Sequence, residues 1–339
     1  MVLRPDFPGE KQMNTRPIVG QSQLVKMMDS IIASGRVAHA YLFTGPFGAG
    51  KKTLSLLFAQ ALLCEGEGEK PCYSCRSCKQ IDSNNHPDIY HLVKEEDKTR
   101  IIVDQIRDLR ERIRVKPYQS ELRIVFIHRA QEMTVQAQNA LLKTLEEPPS
   151  HTKFFLLADI VNELLPTIIS RCQIFKVNSL STPDTAKILM DRLDILREEA
   201  SFFATIACGI PGKALMLASN EDFKQKRDRL IEKLGSKRPN DLLDLVPLFT
   251  EDRDLAFDLF DVLVFWFRDL LVAKETGRTD KIINMDKLSY LGRQTKAFTS
   301  RALQDNIELV EKSRRAIEGY SNFQLTIENM LLAFTGGAN

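Results

Sequence analysis

The stretch Tyr41-Leu42-Phe43-Thr44-Gly45-Pro46-Phe47-Gly48-Ala49-Gly50-Lys51-Lys52-Thr53 sets the fold of the N-terminal half. An apolar run meets a glycine-rich turn, and a lysine follows where a helix should start. This is the layout of a phosphate-binding loop. Glycines let backbone N–H groups close around phosphates, and the lysine reaches the outer ones. The pattern asks for Gly, four residues, Gly, Lys and then Ser or Thr. Gly45, Gly50 and Lys51 satisfy it, with Gly48 inside the turn, but Lys52 stands in the place of the magnesium-binding hydroxyl. Thr53 comes one residue late, which on a helix turns its hydroxyl by ~100°. The loop of Gly45, Gly48, Gly50, Lys51, Lys52 and Thr53 can hold the phosphates of ATP or ADP, yet it is poorly built for metal-assisted phosphoryl transfer. A second reading keeps it as a relic that closes a tight strand–helix turn, and the residues do not choose between the two.

Outward from the loop, apolar runs at 40–44, 89–93, 123–128, 154–158 and 173–177 read as five strands. Helical periodicity fills 23–34, 53–63, 105–115 and 135–147, with Thr134 as N-cap of the last and Pro148-Pro149 as its stop. Strands separated by helices predict a parallel five-stranded sheet covered on both faces. The strand at 123–127 ends in His128-Arg129, with no carboxylate to hold magnesium or orient water and an arginine cation that would repel the metal, so hydrolysis by this chain is not expected. After Val177 the strand signals stop. Residues 182–192, 198–208, 211–218 and 222–234 read as helices, 235–240 as a linker, and 241 onward as helical again, with the longest element at 255–276. The expected domains are 1–177 (α/β), 178–234 (small, helical) and 241–339 (helical).

Composition excludes some classes. The 339 residues carry a net charge of +2, so any nucleic-acid contact would need a local patch. Arginines between Arg100 and Lys116 could form one, but helical spacing favours an ordinary solvated face. Residues 1–15 are mostly polar, with no apolar core of signal-peptide length, and the apolar stretch 255–271 is broken by Asp258, Asp261, Arg268 and Asp269. A cytoplasmic chain without a membrane span is expected.

Of six cysteines, Cys64, Cys72, Cys75 and Cys78 fall within fifteen residues. Two Cys-x2-Cys steps place sulfurs on a compact turn, and Cys64 at the end of a helix can supply a fourth ligand. The expectation is one structural zinc, closed by four thiolates, in an insert at 64–78. Cys172 and Cys208 are expected to be core residues. Arg171, in Ser170-Arg171-Cys172 before the fifth strand, is either a salt-bridged surface residue or an arginine finger acting on a neighbour's nucleotide.

These pieces together resemble the clamp-loader branch of the AAA+ family, and within it the delta prime subunits of bacterial DNA polymerase III. The resemblance rests on Ile18-Val19-Gly20-Gln21, His39-Ala40-Tyr41-Leu42-Phe43, the four-cysteine insert and Ile102-Val103-Asp104-Gln105-Ile106-Arg107. It continues through Asn139-Ala140-Leu141-Leu142-Lys143-Thr144-Leu145-Glu146-Glu147-Pro148-Pro149 and Leu165-Pro166-Thr167-Ile168-Ile169-Ser170-Arg171-Cys172. Trp266-Phe267-Arg268-Asp269-Leu270-Leu271 and the spacing Asn322, Leu325, Glu328 look similar to the collar of such subunits.

The resemblance implies an AAA+ domain, a small helical lid and an all-α collar. It also implies a stator in a hetero-pentamer with gamma/tau and delta subunits, which loads a sliding clamp onto primed DNA. Such a chain is not catalytic alone, but Arg171 would complete a neighbour's ATP site. The gamma/tau ATPases are the nearest alternative. They carry a Gly-x2-Arg sensor where this chain has Gly209-Ile210-Pro211-Gly212, and the tau kind a long extension. A stand-alone P-loop enzyme, or a DNA-binding module with steep salt dependence, are alternatives of a different class.

Overall fold

The computed structural model describes residues 18–236 and 238–334. The readings at 1–15, at Lys237 of the linker and at the last five positions lie outside the described residues. The chain divides into two compact units, Met1–Leu180 and Ser181–Asn339.

Unit one begins with α1 (Ser22–Ser34), β1 (Ala40–Thr44), α2 (Lys51–Leu62), α3 (Arg76–Asp82) and β2 (Ile89–Leu92). It continues with α4 (Val103–Ile113), β3 (Arg123–Ile127), α5 (Val135–Glu146), β4 (Thr152–Ala158), α6 (Pro166–Ile169) and β5 (Gln173–Lys176). All five strands pair in parallel, in the order β2-β3-β4-β1-β5. Because side chains alternate across a strand, each central strand feeds two cores. Leu42, Val125, Ile127, Phe154 and Leu156 pack towards α4 and α5. Tyr41, Phe43, Phe126, Phe155 and Phe175 pack towards α1 and α2. The second core is an aromatic cluster: Tyr41 meets Phe58 and Phe155 edge-on at 5.0 and 5.5 Å, geometry that adds to plain burial.

Several ends differ from the sequence reading. α4 starts at Val103 rather than 105, because Gln105 folds back: its Oε1 accepts from the Ile102 N–H and its Nε2 donates to the Val93 carbonyl. β4 gains Thr152 and Lys153, which pair with Arg123 and Ile124 of β3. Thr134 caps α5 as expected, accepting from the Ala137 N–H.

Unit two is helical throughout its described residues, with no strand among them. Its helices are α7 (Thr182–Leu193), α8 (Arg197–Ile206), α9 (Pro211–Ser219), α10 (Glu221–Lys233), α11 (Pro239–Leu243) and α12 (Val246–Thr250). Then come α13 (Arg253–Thr276), α14 (Leu288–Gln294), α15 (Ser300–Glu318) and α16 (Phe323–Ala333). The linker expected at 235–240 is cut short, since Pro239 opens α11. α13 is the axis of this unit: Leu259, Leu263, Trp266, Phe267 and Leu270 are buried along it. Fully buried Asp269 is made tolerable by the N–H groups of Ile283 and Asn284 and by Arg268. No helix among the described residues is long and apolar enough to cross a membrane.

Candidate functional site

Gly50 caps α2 and Lys51 opens it, so the glycine-rich loop sits between β1 and a helix N-terminus as its pattern requires. Gly45 has a second duty. At φ +151 its backbone passes so close to Val177 that a Cβ would lie 2.0 Å from the Val177 carbonyl oxygen. The two strands are held that close because the Val177 N–H continues the parallel β1–β5 ladder, donating to the Thr44 carbonyl at 2.7 Å. A glycine would thus be needed at this turn whether or not phosphate ever binds.

Lys51 is buried, and its ammonium faces its own chain. Nζ donates to the carbonyls of Gly45 and Pro46, both at 2.8 Å, and lies 2.5 Å from Asp159 Oδ1. Asp159 follows β4, the strand beside β1, whose register sets Ala158 opposite Thr44. Buried Gln131 fixes it from the other side: Nε2 donates to Asp159 Oδ2 at 3.1 Å, and Oε1 accepts the Asp159 N–H at 3.2 Å. Sequence reasoning passed over both residues. The signal available was positional only, since Asp159 directly follows a strand end.

The corner where magnesium would sit differs in detail from expectation. Arg129 does not supply its cation there, because it is mostly exposed and pairs with Glu132 at 3.0 Å. Instead His91 Nδ1 and His128 Nε2 lie 2.9 Å apart at the ends of β2 and β3. Burial pushes these imidazoles down, His91 to about 4 and His128 to about 3, and the Lys52 charge adds to the effect in both. A cation and two neutral rings replace the oxygen ligands that magnesium demands.

The four cysteines do converge. Their Sγ atoms all lie within 4.8 Å of one another. Tetrahedral thiolates around zinc stand about 3.8 Å apart, given Zn–S bonds of about 2.3 Å, so only small shifts separate the two arrangements. The backbone is arranged for thiolates. The Cys72 N–H donates to Cys64 Sγ at 3.3 Å, the Cys75 N–H to Cys72 Sγ at 3.3 Å, and the Cys78 N–H to Cys75 Sγ at 3.4 Å. N–H donors from Ser74 and Cys75 hold the Cys72 thiol down to about 5, whereas burial raises Cys64 and Cys78. Gly66 is part of the cradle, because a Cβ there would lie 2.6 Å from Cys72 Sγ. The set therefore fits a structural zinc, and it leaves no open coordination position for catalysis.

Around this knuckle a polar network ties α3 to the segment before β3. The Ser77 hydroxyl donates to Glu65, while Gln119 Nε2 reaches Ser77 and Gln80. The buried Asp88 carboxylate accepts the N–H groups of Tyr118, Gln119 and Ser120. Of the other two cysteines, Cys172 is half-buried against the core and its thiol is pushed up to about 12 by burial. Cys208 contradicts the core expectation. It is exposed, at φ 51 in the turn that ends α8, where its side chain is turned away from the packed face.

Arg171 follows α6 on the half-exposed rim of unit one. It donates to the Thr167 carbonyl at 3.0 Å and pairs with Glu146 at 2.8 Å. The salt-bridged arrangement is thus the one this chain adopts by itself. Three of the arginines between Arg100 and Lys116 are engaged too: Arg107 with Asp104, Arg114 with Glu111, and Arg112 over the Tyr90 ring.

A parallel sheet of this order, with a glycine-rich loop after β1 and a helical unit following, is the architecture of AAA+ P-loop proteins, a class that binds ATP or ADP at that loop. Two family models match the chain, "DNA polymerase III, delta subunit" over residues 20–181 and "DNA polymerase III, delta subunit, C terminal" over 221–336. The DNA polymerase III subunit delta' of Bacillus subtilis is 32% identical over 94% of this chain and 97% of its own length. That of Haemophilus influenzae is 30% identical over 81% and 83%. The B. subtilis tau subunit is 28% identical, but the match spans only 58% of its length. A gamma-subunit-related protein of Thermotoga maritima superposes with a TM-score of 0.40 at 18% identity, covering 93% of this chain and 99% of its own. This chain belongs to the delta prime family of DNA polymerase III subunits.

Proposed function

We propose that this chain is the stator of a bacterial clamp loader, a subunit that assembles with gamma/tau and delta subunits and helps set a sliding clamp on primed DNA. It works in the cytoplasm. Family membership along nearly the whole of a delta prime relative supports the role. The observation that carries the inactive half of the reading is Lys51, whose ammonium is held by Asp159 and two carbonyls while Lys52 stands where a hydroxyl would hold magnesium. Residues 1–177 act as the AAA+ domain, 178–234 as the lid and 241–339 as the collar through which subunits associate. Gly45, Gly48, Gly50, Lys51, Lys52 and Thr53 line the nucleotide loop, and Cys64, Cys72, Cys75 and Cys78 hold a structural zinc.

Arg171 is the arginine finger of this reading. In the assembled ring its guanidinium exchanges Glu146 for the γ-phosphate on a neighbour, stabilising charge that grows in the transition state. The exchange is inexpensive, because a half-exposed ion pair contributes only about 0–1 kcal/mol. The test has two parts. Purified chain should show no ATP turnover, and mass spectrometry of the intact complex should find one copy beside gamma/tau and delta subunits. Turnover by the chain alone would return the gamma/tau or stand-alone enzyme reading.

A further inference from the structure

A lysine ammonium has three N–H donors. In Lys51 all three have partners within the chain: the Gly45 carbonyl, the Pro46 carbonyl and Asp159 Oδ1. We propose that Asp159 is an internal competitor for phosphate, the residue that sets how weakly this loop holds a nucleoside di- or triphosphate. The carboxylate is placed for that task. It directly follows β4 beside the loop, and its side chain is only 16% exposed. Buried Gln131 holds its second oxygen, and is itself anchored by the Asp159 N–H, so the carboxylate cannot swing aside without breaking a further hydrogen bond. An incoming polyphosphate needs the same ammonium. It would leave the carboxylate desolvated, unpaired and facing a like charge, the combination that most disfavours a buried anion. The loop thus carries its own anion in the phosphate position.

The inference goes beyond the stator role and is independent of Arg171, so either can fail without the other. It is tested by titrating ADP and ATP, with and without magnesium, into the zinc-loaded full chain by calorimetry. Asp159→Asn should bind both nucleotides at least tenfold more tightly than the native chain, with or without magnesium. Adding Lys51→Ala should abolish the gain. Unchanged affinity in Asp159→Asn would overturn the proposal. So would weaker binding seen only with magnesium, since Asp159 would then be a metal-holding carboxylate. If Asp159→Asn fails to fold, judged by zinc content and circular dichroism, Asp159→Ser carries the same two expectations.

Discussion

Two stretches separated by a single helix, the glycine-rich loop at 45–53 and the cysteine knuckle at 64–78, show opposite relations between motif and chemistry. The loop has most of the residues its pattern requires, yet its lysine is fully engaged by its own chain and its metal corner is lined by a cation and neutral rings. The knuckle has no catalytic pattern, yet its four sulfurs converge and are fed by backbone donors ready for thiolates. The difference lies in partners rather than in residue types. A motif is chemically available only when its polar groups have not already been satisfied from within.

The sharpest way to break this comparison is to remove the metal from the knuckle. Four thiolates within 4.8 Å repel one another without a cation. Metal analysis of protein purified without chelator should give one zinc per chain, lost on Cys75→Ser. Because structural zinc binding is folding free energy, unit one should then melt about 10 °C or more lower by calorimetry. A metal-free chain with unchanged melting would place the knuckle beside the loop as a relic.

Asp88→Ala asks how far the order of the knuckle spreads. The carboxylate accepts three backbone N–H groups at 2.5, 2.8 and 2.8 Å and is nearly fully buried. Its loss orphans those donors and should cost about 2–4 kcal/mol in urea unfolding. Hydrogen exchange should lose protection at Tyr118, Gln119 and Ser120 while the β1–α2 loop is unaffected.

The loop side is probed through pH. His91 and His128 have folded pKa values of about 4 and about 3, below the ordinary 6.5. Between pH 6.5 and those values the unfolded chain binds more protons than the folded one. Stability is therefore fully present above about pH 6.5 and falls as pH is lowered towards the folded values. Unit one should lose about 3–4 kcal/mol between pH 7 and pH 5. Urea titrations at the two pH values should show this loss, and His91→Gln with His128→Gln should flatten it.

The sequence made the sheet legible because its strands are written twice, as apolar runs and as the gaps between helical periods. Runs such as 40–44 and 123–127 are apolar at successive positions because alternate residues fill two different cores. The cysteines were legible because chemistry limits what four close thiols can do. Other features were hidden in long-range pairing. Asp159 lies 108 positions from Lys51, and only the β1–β4 register brings them together. Nothing in the sequence around Gly66 announces that a Cβ there would meet Cys72 Sγ at 2.6 Å. Arg129 read as the cation at the metal corner because strand direction alone cannot tell that a left-handed residue, φ 47, turns the side chain towards Glu132. Cys208 read as a core residue, but the turn that closes α8 leaves it exposed.

The central claim is that this chain gives a neighbour a charge while running no ATP cycle of its own. It is tested most directly by DNA-stimulated ATP turnover of the assembled complex carrying either Arg171→Ala or Lys51→Ala. Arginine fingers contribute on the order of 10³-fold or more at the site they serve. Arg171→Ala should therefore silence one site and leave the others, giving a partial loss with the complex intact, while Lys51→Ala leaves turnover nearly unchanged. Abolished turnover in Lys51→Ala, with no effect of Arg171→Ala, would make this chain a motor and contradict the account.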